Sequence, residues 1–121
     1  MIIPRAGRMA LLSRFCSGVE LGLFSRIENG AIIECDAPDY IPKQIPDAEW
    51  LLDAENETAT SPERMWIFLS PADRVAGFFA RHVSTGEIVF ADTFRDGPVQ
   101  IDRPGDHVKV VAVLKFFAPE S

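Results

Sequence analysis

Apolar side chains occupy every second position from Val108 to Phe116, and this alternation constrains the fold more than any other sequence feature. A period of two places these side chains on one face of a β-strand, whereas a helix would spread them around its axis. We expect one long strand over 107–117, with its second face covered by the same chain or by a neighbouring subunit. That second face is also largely apolar and contains His107, Lys109, Val111, Val113, Lys115 and Phe117.

Turn signals upstream of this strand predict further antiparallel pairs. The runs 75–83 and 87–94 flank a Gly-containing turn, which predicts a hairpin with Phe78 or Phe79 opposite Val89 or Phe90. A second hairpin is expected at Asn29-Gly30, since both residue types tolerate positive φ. The segments 19–23, 50–52, 65–69 and 99–101 also have strand character.

Three other segments are predicted to form a helix or a loop rather than a strand. Helical spacing of Leu11, Leu12 and Phe15 predicts one or two helical turns within 8–15. Three prolines in 38–46 predict an extended, ordered loop. The polar, acidic stretch 53–62 has no apolar side chain larger than alanine, so we expect a flexible loop there.

These elements predict an all-β fold, an antiparallel β-sandwich or jelly roll with a short N-terminal helical segment. A chain of 121 residues with 47% hydrophobic residues has enough apolar surface for one core. We therefore expect a single domain over 1–121, with an N-terminal arm over 1–8 that reaches an adjacent subunit.

The net charge of -6 is concentrated in the middle of the chain. Between residues 48 and 64, five carboxylates accompany a single basic residue, Arg64. Without a basic stripe, direct binding of nucleic acid is not expected. One interpretation is a small acidic binding or inhibitory protein, whose Glu-rich 49–63 loop would occupy a basic site on a target.

Catalytic and metal-binding motifs are absent from the sequence. Cys16 and Cys35 lie in no metal-ligand pattern, and His82 and His107 accompany no nucleophile elbow, phosphate loop or dinucleotide fingerprint. We expect two reduced cysteines, with a single disulfide between them as the alternative. We also expect no cofactor, no metal and no enzymatic activity. A hydrolase would require one of the histidines in a cleft beside a nucleophile. No apolar run approaches the length of a membrane span, so no membrane partner is expected.

The number of aromatic residues directs attention to protein interfaces. Nine phenylalanines and two tryptophans either fill the core of a small sandwich or also form partner surfaces, which are rich in aromatic residues and arginine. The expected contacts lie in the arm, the Pro-rich loop with the tryptophan that follows it, and the final strand. The candidate partner-binding residues are Ile2, Ile3, Arg5, Tyr40, Ile41, Ile45, Trp50, Val111, Val113 and Phe117.

The order of turns and strands in the C-terminal half resembles a group of small structural proteins of tailed bacteriophages. The resemblance lies in the Gly77-Phe78-Phe79 strand, the turn and strand from Ser84 to Ala91, the strand Pro98-Val99-Gln100-Ile101 and the entry Gly105-Asp106-His107-Val108. Residues 19–25, VELGLFS, resemble the group's first strand. Such proteins have tail, fibre-attachment or head-decoration roles.

The resemblance implies a non-enzymatic structural component of a virion, synthesised in the host cytoplasm. It also implies a homo-oligomeric ring or spike with other virion proteins as partners. No catalytic residues are implied. The Pro-rich loop and the acidic loop have no counterpart in the group.

Overall fold

Short antiparallel strands and one N-terminal helix dominate the computed structural model, which describes residues 2–115. Of these residues, 46% lie in strands and 12% are helical, which confirms the predicted all-β class with a helical N-terminal segment. A 3₁₀ turn covers Asp47–Glu49. The helix and strands are α1 (Arg5–Phe15), β1 (Val19–Glu28), β2 (Ala31–Glu34), β3 (Lys43–Ile45), β4 (Leu51–Asp53), β5 (Thr58–Thr60), β6 (Arg64–Ile67), β7 (Ala72–Val75), β8 (Gly77–His82), β9 (Ile88–Thr93), β10 (Val99–Ile101), β11 (His107–Val110) and β12 (Val113–Lys115).

Strand β1 organises a five-stranded antiparallel sheet. One of its edges pairs with β8, which pairs with β9, while its other edge is shared by β3 and β2. The β1–β2 hairpin confirms the predicted turn, where Asn29 has φ 50° and Gly30 has φ 80°. These left-handed conformations suit Asn and Gly and match the twist of a tight hairpin.

A second layer is built from one long two-stranded ribbon. Strand β6 pairs with β11, β5 pairs with β12, and β4 joins the free edge of β5. Between the two ladders Pro62 and Glu63 oppose the single Val111, so the ribbon contains a bulge where proline cannot donate a hydrogen bond. Ser61 bridges the bulge: its N–H donates to the Ala112 carbonyl and its Oγ accepts from the Ala112 N–H, both at 2.8 Å.

The two layers face each other across a single cluster of buried side chains, which gives a β-sandwich-like arrangement. Residues of β1 and of the ribbon meet in this cluster. Strands β7 and β10 pair as a two-stranded sheet and contribute Val75 and Ile101 to it. The cluster includes Val19, Leu21, Leu23, Trp66, Phe68, Val108, Val110 and Ala112. The burial of Val108, Val110 and Ala112 confirms the inner face that their alternation predicts.

The outer side of the five-stranded sheet carries an aromatic and charged layer. A Cβ on Gly22 would lie 2.3 Å from the Cζ of Phe79, so only glycine leaves room for that fully buried ring. Arg81 stacks on Phe79 at 5.1 Å and binds the carboxylates of Glu20 and Glu34 at 2.6 and 2.9 Å. These contacts cover the ring with the apolar part of the arginine while its charge stays paired.

Several predictions for strands need correction. Phe79 pairs with Ala91 and Phe78 with Asp92, so the predicted alignment is wrong; Phe78 instead contacts the Phe90 ring edge-on, with centroids 6.5 Å apart. The strand expected over 75–83 is interrupted at Ala76, and the one over 107–117 at the bulge. The acidic stretch 53–62 is not a simple loop, because it contains β5.

The N-terminal helix is longer than expected, and it shortens the predicted arm. It spans Arg5–Phe15, buries Leu12 completely and contacts β5. Arg8 Nε donates to Glu57 Oε2 at 2.7 Å, and Arg5 lies 3.4 Å from the same carboxylate. Residues 5–8 are therefore held on their own chain rather than extended toward a neighbour.

Tyr40 closes a gap in the backbone ladder of β1. The segment between β2 and β3 leaves the Leu23 N–H without a strand partner, and the Tyr40 hydroxyl accepts from it at 3.0 Å. The same hydroxyl donates to Glu34 Oε2 at 2.6 Å. This side chain, together with the pairing of β3 and β1, thus fixes the Pro-rich segment to the centre of the sheet.

The change Tyr40→Phe should lower the free energy of unfolding by about 1–3 kcal/mol, because it leaves the Leu23 N–H unsatisfied inside the protein. Urea denaturation measures the effect. Thr85→Ala, which removes an exposed turn hydroxyl bonded to the Glu87 N–H, serves as the control with a change below about 0.5 kcal/mol. Equal stability of Tyr40→Phe and the wild type would contradict this role.

Candidate protein interface

The outward side of the ribbon and of β4 is an exposed sheet face that carries five large apolar side chains among polar ones, and we call it the outer face. Cross-strand register and alternation with the buried residues define its members. They are Leu51, Asp53, Thr58, Thr60, Met65, Ile67, His107, Lys109, Val111, Val113 and Lys115.

Large apolar side chains on the outer face are unusually open to solvent. Leu51 is 70% exposed, Val113 56%, Ile67 51%, Val111 48% and Met65 41%. Scattered exposed apolar residues are ordinary on a protein surface, but neighbouring ones on a single sheet face mark an interaction site. The sequence predicts that the second face of the final strand is covered, and nothing within residues 2–115 covers Val111 or Val113.

Charges lie at the margins of the three-stranded part of this face. Lys115, Thr58 and Asp53 stand side by side on β12, β5 and β4. The basic residue therefore occupies one edge of the sheet and the acidic residue occupies the other. The central strand β5 contributes the threonines Thr58 and Thr60, and the apolar side chains of Val113 and Leu51 lie on the two edge strands.

The Pro-rich loop presents a second exposed apolar group on a rigid support. The Trp66 indole N–H donates to the Ile41 carbonyl at 2.8 Å, and the Asp39 carboxylate accepts from the Leu69 N–H at 2.5 Å. These bonds leave Ile41 70% exposed and Leu69 68% exposed. The segment is ordered, as the prolines predict, and it displays Ile41. It is not a loop throughout, because Lys43–Ile45 forms β3 and pairs with β1.

The other candidate partner-binding residues have mixed positions. Ile45 and Trp50 are buried in the core and Tyr40 is half-buried, so contacts within the chain account for all three. Ile2 is 92% exposed, whereas Ile3 is half-buried. Arg5 pairs with Glu57, as described above. Phe117 lies outside the described residues.

Three outer-face residues were missed by the sequence reading: Leu51, Met65 and Ile67. The alternation in 65–69, where Trp66 and Phe68 are buried, was the available signal for Met65 and Ile67. Leu51 had no such signal in the sequence. It lies on the outer face because it pairs with Thr60, which in turn pairs with Val113.

The acidic segment is largely engaged within its own chain. Glu57 binds Arg8, and Glu49 lies 3.4 Å from Arg64. Asp53 accepts from the Asn56 side chain at 2.7 Å and from backbone N–H groups of the turn. Glu55 and Glu63 are exposed.

The histidines and cysteines form no assembled reaction centre within residues 2–115. An open cleft of about 470 Å³ has His82, Ser17 and Ser84 in its lining, but Ser17 donates to the Asp47 carboxylate at 2.8 Å and the buried His82 Nε2 has no partner. This is not the serine–histidine–carboxylate order of a hydrolase. Cys16 and Cys35 are unpaired and buried, and burial raises the pKa of Cys16 to about 11.

Metal sites and membrane spans were also sought among the described residues. No group of three or more His, Cys, Asp or Glu side chains in residues 2–115 is placed to hold a metal ion. No helix in this range has the length and apolar character needed to cross a membrane.

The chain matches no known protein family, no curated protein and no solved structure.

Lowering the pH should remove the contribution of the Arg8–Glu57 ion pair to the stability of the fold. The hydrogen bond from Arg8 lowers the pKa of Glu57, so this pair stabilises the fold above the carboxylate's unfolded-state pKa and is lost as the pH falls through its folded pKa. Glu57→Gln should therefore reduce stability at neutral pH and weaken the pH dependence. Urea denaturation at a series of pH values measures both effects.

The matched control is Glu55→Gln in the same turn, which should keep the wild-type pH dependence because Glu55 is exposed. If the free energy of unfolding changes with pH in the same way for Glu57→Gln and the wild type, the ion pair contributes nothing to folding.

Proposed function

We propose that this chain is a non-enzymatic structural protein that assembles with neighbouring subunits through its outer face. The observation that carries the proposal is the exposure of Leu51, Val111 and Val113 on one face of the sheet. The opposite face places Ala59, Val110 and Ala112 in the core, although Leu52 at its edge is 44% exposed. A rigid β-sheet loses little conformational entropy when a partner covers it, which favours binding.

The exposed loop and N-terminus extend the proposed contact region. Ile41 is held outward by backbone and side-chain hydrogen bonds, and Ile2 precedes a helix that is anchored by Arg8 and Glu57. We assign these two residues to contacts with further neighbours. Arrays of subunits require more than one contact region per subunit, and a closed symmetric assembly is the usual result.

We place this assembly in the particle of a tailed bacteriophage or a related particle, in a tail, fibre-attachment or head-decoration role. The order of strands and turns in the C-terminal half supports this context through its resemblance to such proteins. The all-β fold is compatible with it. The partners are then other virion proteins and further copies of this chain.

The direct test is to purify the chain and to examine it by light scattering and negative-stain imaging, alone and mixed with other structural proteins of the particle. The proposal predicts self-association or a particle-bound state. A chain that stays monomeric and binds none of these proteins would overturn it.

The triple variant Leu51→Thr/Val111→Thr/Val113→Thr should weaken association by about a hundredfold or more, because it removes apolar area that the partner buries. Threonine suits exposed strand positions, so the free energy of unfolding should change little. Light scattering across a concentration series measures association, and urea denaturation checks the fold.

The matched control is Ile27→Thr/Val83→Thr/Ile88→Thr, which alters three exposed apolar residues on β1 and the β8–β9 hairpin. These residues lie outside the outer face, so association should persist. Equal loss of association in both triple variants would argue against the outer face as the interface.

A further inference from the structure

The tip of the β1–β2 hairpin is an exposed asparagine followed directly by a glycine. Asn29 and Gly30 form the turn between Glu28 and Ala31, which face each other as the last pair of the ladder. Both turn residues have positive φ, 50° for Asn29 and 80° for Gly30. Because the turn is an exposed loop tip, water reaches it and local change is tolerated there.

Two groups in this turn that can react with each other are both unbound. The Asn29 side-chain amide makes no hydrogen bond to any residue in 2–115, and the Gly30 N–H has no acceptor in the same range. The ladder closes with the Glu28–Ala31 pair, so the pairing of β1 and β2 does not use the Gly30 N–H. The space around Gly30 is open, since a Cβ there would meet no atom within 4 Å.

We propose that Asn29 is a site of spontaneous deamidation in the folded chain, with the backbone nitrogen of Gly30 as the nucleophile. The Gly30 nitrogen gives up its proton and attacks Cγ of Asn29, and the new N–Cγ bond closes a cyclic succinimide. The Cγ–Nδ2 bond breaks, and the side-chain nitrogen takes up the released proton and leaves as ammonia.

Water completes the reaction by opening the ring at one of its two carbonyl carbons. Cleavage of the N–Cγ bond leaves an aspartate at position 29. Cleavage of the bond between the backbone carbonyl carbon and the Gly30 nitrogen leaves an isoaspartate, in which the chain continues through Cγ. Water and the chain itself are the only reactants, and no electrons are gained or lost.

Glycine at position 30 favours the ring closure for two reasons. No side chain shields its nitrogen, and its backbone adopts either sign of φ at little cost, so the turn can rotate toward the geometry of attack. Hairpin tips also open locally at a far lower free energy than the whole domain needs to unfold. The site belongs to the five-stranded sheet rather than to the outer face, so the inference is independent of the proposed function.

The chain contains one other asparagine, which lacks these features. Asn56 Nδ2 donates to Asp53 Oδ2 at 2.7 Å, and the Asn56 N–H donates to Asp53 Oδ1 at 3.1 Å. The next residue is Glu57, whose side chain is held by Arg8. Asn56 should therefore react far more slowly than Asn29, and it serves as a control within the same molecule.

The products change the charge and the length of the turn. Each replaces a neutral amide with a carboxylate beside Glu28, whose own carboxylate lies 3.0 Å from Arg26. The isoaspartyl product also adds a carbon to the backbone of the turn that sets the register of β1 and β2. Deamidation should therefore loosen the pairing nearest the tip.

Peptide mapping of the full chain tests the proposal. The folded chain is incubated in mildly alkaline buffer made with water labelled with heavy oxygen. Digestion with trypsin in ordinary water then separates residues 27–43, which contain Asn29, from residues 44–64, which contain Asn56. Mass spectrometry should show labelled aspartate and isoaspartate at position 29, formed about tenfold or more faster than the products of Asn56, because only Asn29 precedes a glycine.

The variant Gly30→Ala tests the role of the glycine. It should slow deamidation at Asn29 by about tenfold or more, because the methyl group hinders the nitrogen and disfavours positive φ. Gly86→Ala is the matched control, since Gly86 also has positive φ, 75°, with nothing within 4 Å of an added Cβ. This control introduces similar turn strain and should leave the rate at Asn29 unchanged.

A sample unfolded in guanidinium chloride measures what the fold contributes. Deamidation at Asn29 in the unfolded chain but not in the folded chain would overturn the proposal, because the native turn would then protect the amide. Equal rates at Asn29 and Asn56 in the folded chain would also overturn it. Aspartate without isoaspartate would exclude the succinimide and thus the Gly30 nitrogen as the nucleophile.

Discussion

The structure depends on one long ribbon whose two faces have different environments. Val108, Val110 and Ala112 seal the core from one side, while Val111 and Val113 point away from it. Because side chains alternate along a strand, neither set can move without the other. The bulge at Pro62 and the two hydrogen bonds between Ser61 and Ala112 keep that alternation in register through the break between β11 and β12.

Local contacts elsewhere hold the rest of the fold to this ribbon. Arg8 and Glu57 tie the helix to the turn that precedes β5, and Trp66 and Tyr40 tie the Pro-rich loop to both layers. The loop and helix are thereby ordered supports rather than free arms. Their exposed side chains, above all Ile41, are presented in fixed positions.

The sequence predicted features that depend on local pattern and failed where distant residues decide. The inner row of the final strand and the Asn29-Gly30 turn follow from alternation and turn chemistry, and both are observed. The β5 strand in the acidic stretch depends on pairing with β12, far along the chain. The prediction also failed at the Phe79–Ala91 register, which is set within the β8–β9 hairpin, where the pairing is irregular between Ala80 and Arg81. Ile45 and Trp50 were assigned to partner binding, but apolar character alone does not distinguish a core residue from an interface residue.

Solvent accessibility of methyl groups measures the central claim most directly. A soluble paramagnetic agent broadens the NMR signals of exposed methyl groups and spares buried ones. The account predicts that Val108 and Val110 are protected at every protein concentration, and that Val111 and Val113 are exposed in dilute solution and become protected as the chain associates. Signals of Val111 and Val113 that stay exposed in the associated or particle-bound chain would contradict it.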